Sequence, residues 1–257
     1  MIWVSSMQKI VMIPARLASS RLPGKLLLDL GGKSVLAHVY AQSLLAEGID
    51  AVYIATDSEE IATHCQQFTD HIIFTDTVHQ SGTDRIAEAV QGLDCDIIVN
   101  VQGDEPFIDP KLISKVANGV NSHIPMSSAM QRIQNTSELH DPNVVKVVVN
   151  SKAEALYFSR SLIPHPRDMW DSLRSAGGEI PEALSFYRHI GIYGYTRDFL
   201  LTYSQMEPST LEKIERLEQL RVLENGYTIQ MIETTEDAFG IDTMEDYIKA
   251  QERIQHI

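Results

Sequence analysis

The sequence predicts an α/β protein built on a parallel sheet with helices on both faces. Three observations carry this. Short β-branched runs alternate with helix-length segments as far as Val101, the pattern of successive βα units. The chain has 257 residues, 44% of them hydrophobic, which suits one large core. No linker-like stretch, internal repeat or low-complexity segment divides it.

Lys9–Ile13 is a buried strand by its β-branched run. It enters a loop, residues 14–25, rich in small residues, proline and cations. Ser34–Glu47 reads as a helix stopped by Gly48, then Ala51–Thr56 as a strand, Glu59–Phe68 as a helix and His71–Phe74 as a strand. Asp84–Gln91 is a helix and Asp96–Val101 a fourth strand. In such sheets ligands sit at the carboxyl ends of strands, so the loops after Ile13, Thr56, Phe74 and Val101 are the first candidates.

The second half is less regular. Met126–Arg132, Val144–Val149 and Ile190–Tyr195 read as strands, and residues 161–185 as a mobile loop. Ser209–Glu224 reads as one helix, opened by the capping box Ser209-Thr210-Leu211-Glu212 and closed before Gly226. Tyr227–Ile232 is strand-like and Thr243–Ile254 a last helix. The domain is expected to span 8–257, with residues 1–7 a leader or extension.

Net charge is −14, so a non-specific nucleic-acid binder is excluded, and an anionic substrate needs a local basic pocket. No apolar stretch approaches the roughly 20 residues of a membrane span. Cys65 and Cys95 are the only cysteines, which reads as two free thiols in a reducing compartment.

The first loop carries Arg16, Arg21 and Lys25, the last beside Gly24. Small residues let backbone N–H groups approach phosphate oxygens while the cations neutralise them. The alternative is a solvated basic loop. Asp104 follows the fourth strand directly and is a candidate Mg²⁺ ligand, unless it only caps the turn before a helix. Asp242 is a second carboxylate, unless it is the N-cap of the last helix with Glu245 at N3.

Two further features point to a polar pocket. On a helix over 209–224, Leu211, Ile214, Leu217 and Val222 share one arc, and Glu218 falls among them. A carboxylate there costs several kcal/mol unless partnered, so it either pairs with Arg221 or borders a ligand. In the strand ending at Tyr195, His189, Gly191 and Tyr193 share a face, and a glycine inside a strand marks a close approach by backbone or ligand.

The motifs IPARLASSRLPGK (13–25), HQSGTDR (79–85), VNVQGDEP (99–106), ALYFSR (155–160), RHIGIYGY (188–195), LEQLRVLENG (217–226) and GIDT (240–243) occur in an order that resembles the 3-deoxy-manno-octulosonate (Kdo) cytidylyltransferases. The resemblance runs from about Lys9 to the C-terminus. It implies a single-domain nucleotidyltransferase of the glycosyltransferase-A type, with a mixed, mostly parallel sheet. It also implies a cytoplasmic homodimer that takes CTP and Kdo as substrates, uses Mg²⁺ and serves lipopolysaccharide synthesis.

By the same resemblance, Arg16 and Lys25 are triphosphate ligands, and Ser81, Gly82 and Arg85 belong to the nucleoside site. Asp104 and Asp242 are the metal carboxylates. Gln102 touches both substrates, and Arg160, His189, Tyr193, Glu218 and Gln219 form the sugar site, with Arg160 on the sugar carboxylate. Leu17, Leu26, Asp84 and His165-Pro166 depart from the commoner family residues. The competing readings are another sugar cytidylyltransferase, for sialate or the 8-amino analogue of Kdo, and a non-catalytic nucleotide-sugar binding module. Lys25, Asp104 and Asp242 together argue against the last.

Overall fold

A computed structural model of the chain describes residues 7–19, 21–79, 81–167, 169, 173, 180, 184–236 and 238–255. The expected leader, apart from Met7, lies outside the described residues, as does much of the loop expected over 161–185.

Strand β1 (Lys9–Ala15) pairs in parallel with β2 (Ala51–Thr56) on one side and β4 (Ile97–Asn100) on the other. Beyond β2 lies β3 (Ile72–Phe74). Along β1, Ile10 and Met12 face one layer while Val11 and Ile13 face the other, and all four are fully buried. That two-sided burial is why the strand reads as an unbroken apolar run.

Helices close both faces. The Val11 face packs against α1 (Val35–Leu44) and, further along, a helix over 110–118. The Ile10 face meets α3 (Gly82–Ala89), while α2 (Glu59–Cys65) covers the first layer. Serine hydroxyls open all three helices: Ser34, Ser58 and Ser81 accept from the backbone N–H groups of Ala37, Ile61 and Asp84.

The second half turns the sheet mixed. The described strands run β3-β2-β1-β4-β8-β5-β9. Here β8 (Tyr187–Thr196) lies antiparallel between β4 and β5 (Met126–Arg132), and β9 (Ile229–Thr234) is parallel to β5. Strand β6 (Lys146–Val149) pairs with β8 and with β7 (Ala155–Ser159). Helices α4 (Pro110–Asn118), α5 (Thr136–His140) and α6 (Arg197–Ser204) complete the packing with three further helices towards the C-terminus. Among the described residues no helix is long and apolar enough to cross a membrane.

The two strand glycines play different parts. At Gly194 an added Cβ would sit 2.5 Å from Ser127 Oγ and 2.9 Å from the Val116 carbonyl, so α4 can approach β8 only without a side chain. At Gly191 a Cβ would meet nothing within 4 Å. The register against β5 slips there, with Ser128 opposite Tyr193 but Ala129 opposite Ile190.

The expected single helix over Ser209–Glu224 is two: α7 (Thr210–Glu215) and α8 (Gln219–Glu224). The capping box of Ser209 and Glu212 forms, but Arg216 adopts a left-handed conformation, φ 54°, and ends α7. The helical phase resets there, so the apolar arc dissolves. Ile214 is 72% exposed, and Glu212 is buried instead.

Candidate active site

The loop after β1, the turn after β4 and the segment before α9 (Met244–Ile254) meet at the carboxyl edge of the sheet. Lys25 Nζ lies between two carboxylates, hydrogen-bonded to Asp104 Oδ2 and 2.8 Å from Asp242 Oδ1. Arg21 reaches the other oxygen of Asp242 at 3.0 Å. The Ile241 N–H donates to the Asp104 carbonyl at 2.9 Å, tying the two acidic segments together. Burial opposes the Lys25 charge, but Asp104 and Asp242 outweigh it and hold its pKa above the usual range.

Neither carboxylate is a helix cap. Asp109 caps α4, and Thr243 with Asp246 forms the capping box of α9, which overturns the alternative with Asp242 and Glu245. Arg16, Arg21, Lys25, Gln102, Asp104 and Asp242 all line one cavity of about 680 Å³. No cluster of three or more metal-binding side chains occurs among the described residues, so a metal here would rest on two carboxylates.

A smaller cavity, about 90 Å³, lies between the end of β1 and the start of α3, lined by Arg16, His79, Ser81, Gly82, Arg85 and Gln102. Arg85 is buried, with Nη2 2.7 Å from Asp57 Oδ2 and Nη1 2.5 Å from Thr75 Oγ1, so its charge is met within the protein. His79 bonds Glu88, and that bond with the Asp76 N–H holds the Glu88 carboxyl below its usual range. His79 was legible only as part of its motif.

The third cavity, about 350 Å³, brings together His189, Gly191 and Tyr193 from β8 with Glu218 and Gln219 at the α7–α8 break. Glu218 accepts from Thr83 Oγ1 at 3.1 Å, and burial pushes its carboxyl up. Arg221 is not its partner: that guanidinium forks onto Glu212 at 2.7 and 2.5 Å. The Gln219 Nε2 is buried without a hydrogen-bond partner among the described residues. In a native interior, such a group marks a ligand or water position.

Burial drives the His189 pKa down to about 3, so the ring is neutral at ordinary pH. Its Nε2 lies 2.8 Å from Ser128 Oγ, which itself donates to the Ile192 carbonyl at 2.9 Å. One hydroxyl proton cannot serve both, so Nε2 carries the proton and donates to Ser128. Tyr193, buried beside it, is held well above its usual range.

Arg160 is not on this wall. Its guanidinium donates to the carbonyls of Glu215 (2.8 Å), Pro142 (3.0 Å) and Arg216 (3.5 Å). Sequence reasoning missed Thr83, Asn100 and Arg216, which do line the cavity. A separate cavity of about 710 Å³ opens at the opposite edge around Asp94–Ile97 and Thr196–Asp198 and holds none of the candidates.

The chain matches the cytidylyltransferase family over residues 10–233. It is 45% identical to the 3-deoxy-manno-octulosonate cytidylyltransferase of Trichlorobacter lovleyi, over 97% of this chain and 99% of that one. The chain belongs to the 3-deoxy-manno-octulosonate cytidylyltransferase family. A relative of the same name from Geotalea uraniireducens is also 45% identical, over 95% and 97% of the two chains. The solved structure of a CMP:2-keto-3-deoxy-manno-octonic acid synthetase complexed with CTP superposes with a TM-score of 0.88 at 38% identity, covering 97% of this chain and 99% of that one. The expected fold class and family are thereby borne out. For a member of this family, the three cavities have a natural division of labour.

Proposed function

We infer that this chain transfers CMP from CTP to the anomeric hydroxyl of Kdo, releasing pyrophosphate. The observation that carries this is the meeting of three cavities at Gln102, which lines all of them. One is cationic and suits a triphosphate. One is narrow and lies against the α3 N-terminus. One is lined by neutral hydrogen-bonding groups, the Glu218 carboxylate and Arg216, and suits a polyhydroxylated sugar acid. The names of the relatives and the CTP in the solved neighbour support the same reading.

The reaction is displacement at phosphorus. The sugar hydroxyl oxygen bonds to the α-phosphorus of CTP and gives up its proton to solvent as the bond to the β-phosphate bridging oxygen breaks. Positioning and charge compensation therefore dominate. Arg16, Arg21 and Lys25 bind the triphosphate and offset charge that collects on the leaving pyrophosphate. Gln102 sits at the junction and aligns the two substrates; its Nε2 donates to Asn100 at 3.2 Å, which fixes its amide. Glu218, His189 and Tyr193 hold the sugar by hydrogen bonds.

Asp104 and Asp242 fit a Mg²⁺ ion. They come from separate segments, converge on a single cation, the Lys25 ammonium, and supply the one or two carboxylates that Mg²⁺ takes alongside substrate phosphates. A bound ion would polarise the α-phosphate and lower the pKa of the attacking hydroxyl. We read the enzyme as a cytoplasmic homodimer that activates Kdo for lipopolysaccharide synthesis. The buried free thiols Cys65 and Cys95 suit a reducing compartment.

The test is incubation with CTP, Mg²⁺ and one sugar acid at a time: Kdo, its 8-amino analogue or N-acetylneuraminate. The expected result is pyrophosphate release with Kdo and a product of the mass of CMP-Kdo. Release with N-acetylneuraminate alone contradicts the reading.

A further inference from the structure

Glu218 stands at the α7–α8 break and is held from two sides. Its carbonyl accepts from the Tyr203 hydroxyl of α6 at 2.8 Å, and its Oε2 accepts from Thr83 Oγ1 of α3 at 3.1 Å. Among the described residues the carboxylate has no other hydrogen-bond donor, which leaves Oε1 for a ligand of the 350 Å³ cavity. A glutamate side chain is long and readily turned. A carboxylate that must meet a sugar hydroxyl in one orientation therefore has to be held there.

Thr83 has that one task. It is buried, 6% exposed, in the first turn of α3, and it lines the cavity together with Glu218. The cap of that helix is already filled, since Ser81 Oγ accepts from the Asp84 N–H at 3.1 Å. Among the described residues the Thr83 hydroxyl makes no hydrogen bond to its own helix, and its single proton goes to Glu218. The β-branch of threonine restricts χ1 and so fixes the direction of that proton. The turn itself is firmly seated. At Gly82 an added Cβ would lie 3.3 Å from Pro14 Cγ, so α3 starts close against the end of β1.

We propose that Thr83 is a positioning residue for the transfer reaction, its hydroxyl holding the Glu218 carboxylate in the orientation that accepts from a sugar hydroxyl. It acts through Glu218 and leaves the triphosphate side untouched. The assignment rests on the sugar reading of the cavity.

Thr83→Val and Thr83→Ser separate the two properties of the side chain. Valine keeps the shape and loses the hydroxyl; serine keeps the hydroxyl and loses a methyl group from a buried place. Thr83→Val should lower kcat/KM for Kdo about ten-fold, the worth of one hydrogen bond to a charged group, with the KM for CTP unchanged. Thr83→Ser should stay within about two-fold of the wild type, even where its melting temperature falls. In a Glu218→Ala background the carboxylate that Thr83 holds is gone, so Thr83→Val should change kcat/KM for Kdo by no more than about two-fold. A purely structural role would rank the variants by melting temperature and make the two losses additive. Thr83→Ala, which also lacks the hydroxyl, gives the same comparison if the valine variant does not fold. Unchanged Kdo kinetics on loss of the hydroxyl, or the full loss repeated in the Glu218→Ala background, overturns the assignment alone. Absence of pyrophosphate release by the wild type with Kdo overturns the reading beneath it as well.

Discussion

Glu218 takes its hydrogen bond from Thr83, 135 residues away in the sequence, and not from Arg221 on the next helical turn. The contact joins the α7–α8 break to the first turn of α3 on the wall of the 350 Å³ cavity. Arg221 meanwhile has its own partner in Glu212. The two carboxylates thus have separate duties, and single substitutions distinguish them.

Glu218→Gln should leave stability nearly unchanged, since one acceptor oxygen remains for Thr83. It should lower kcat/KM for the sugar about ten- to a hundred-fold, because a charged acceptor is lost from the sugar cavity. CTP binding should be spared. Denaturation midpoints and steady-state kinetics with each substrate varied in turn check this; a large loss of stability with intact sugar kinetics would assign Glu218 to the fold.

Glu212→Gln should do the reverse. The Arg221 and Glu212 side chains are 12% and 10% exposed and form a fork, so removing one partner leaves a buried charge uncompensated. A loss of about 3 kcal/mol in urea-unfolding free energy is expected, with KM values little changed. A change under about 0.5 kcal/mol, the range of ordinary surface substitutions, would show that the fork is not stabilising.

The pH dependence of stability should carry the signature of His189. Its folded pKa, about 3, lies below the unfolded value of 6.5, so the unfolded chain binds the extra proton between them. Stability from this group is complete above pH 6.5 and is lost as pH falls towards 3. His189→Asn should therefore show a shallower fall between pH 6.5 and 4 than the wild type. Parallel curves would mean that the ring titrates normally in the fold.

The fold as far as β4 was legible because its strands read as apolar runs and α1, α2 and α3 are each opened by a serine cap. Helices α4, α5 and α6 and strand β7 escaped, and one helix was misread. Strand β7 carries Leu156 outward, 59% exposed, and shows little of the alternation of a half-buried strand. The helix over 209–224 looked continuous because a left-handed arginine leaves no mark in the sequence, whereas glycine would have. Glu218 was singled out by a helical phase that does not exist, yet it does border a polar cavity. The sequence identifies Arg160 as a cation near a site, and the hydrogen bonds add that its guanidinium also donates to the carbonyls of Pro142, Glu215 and Arg216.

We propose that Asp104 and Asp242 converge to hold the metal on which CMP transfer depends, with Lys25 between them serving the phosphates. Pyrophosphate release from CTP and Kdo, followed as Mg²⁺ is raised from limiting to saturating, tests it most directly in wild type and Asp104→Asn. Asparagine keeps the size of the side chain and removes the charge that holds the ion. The expected result is Mg²⁺-dependent turnover in the wild type and none above background in Asp104→Asn, with circular dichroism and melting unchanged. Near wild-type turnover by Asp104→Asn at limiting Mg²⁺ would show that Asp104 does not hold the ion.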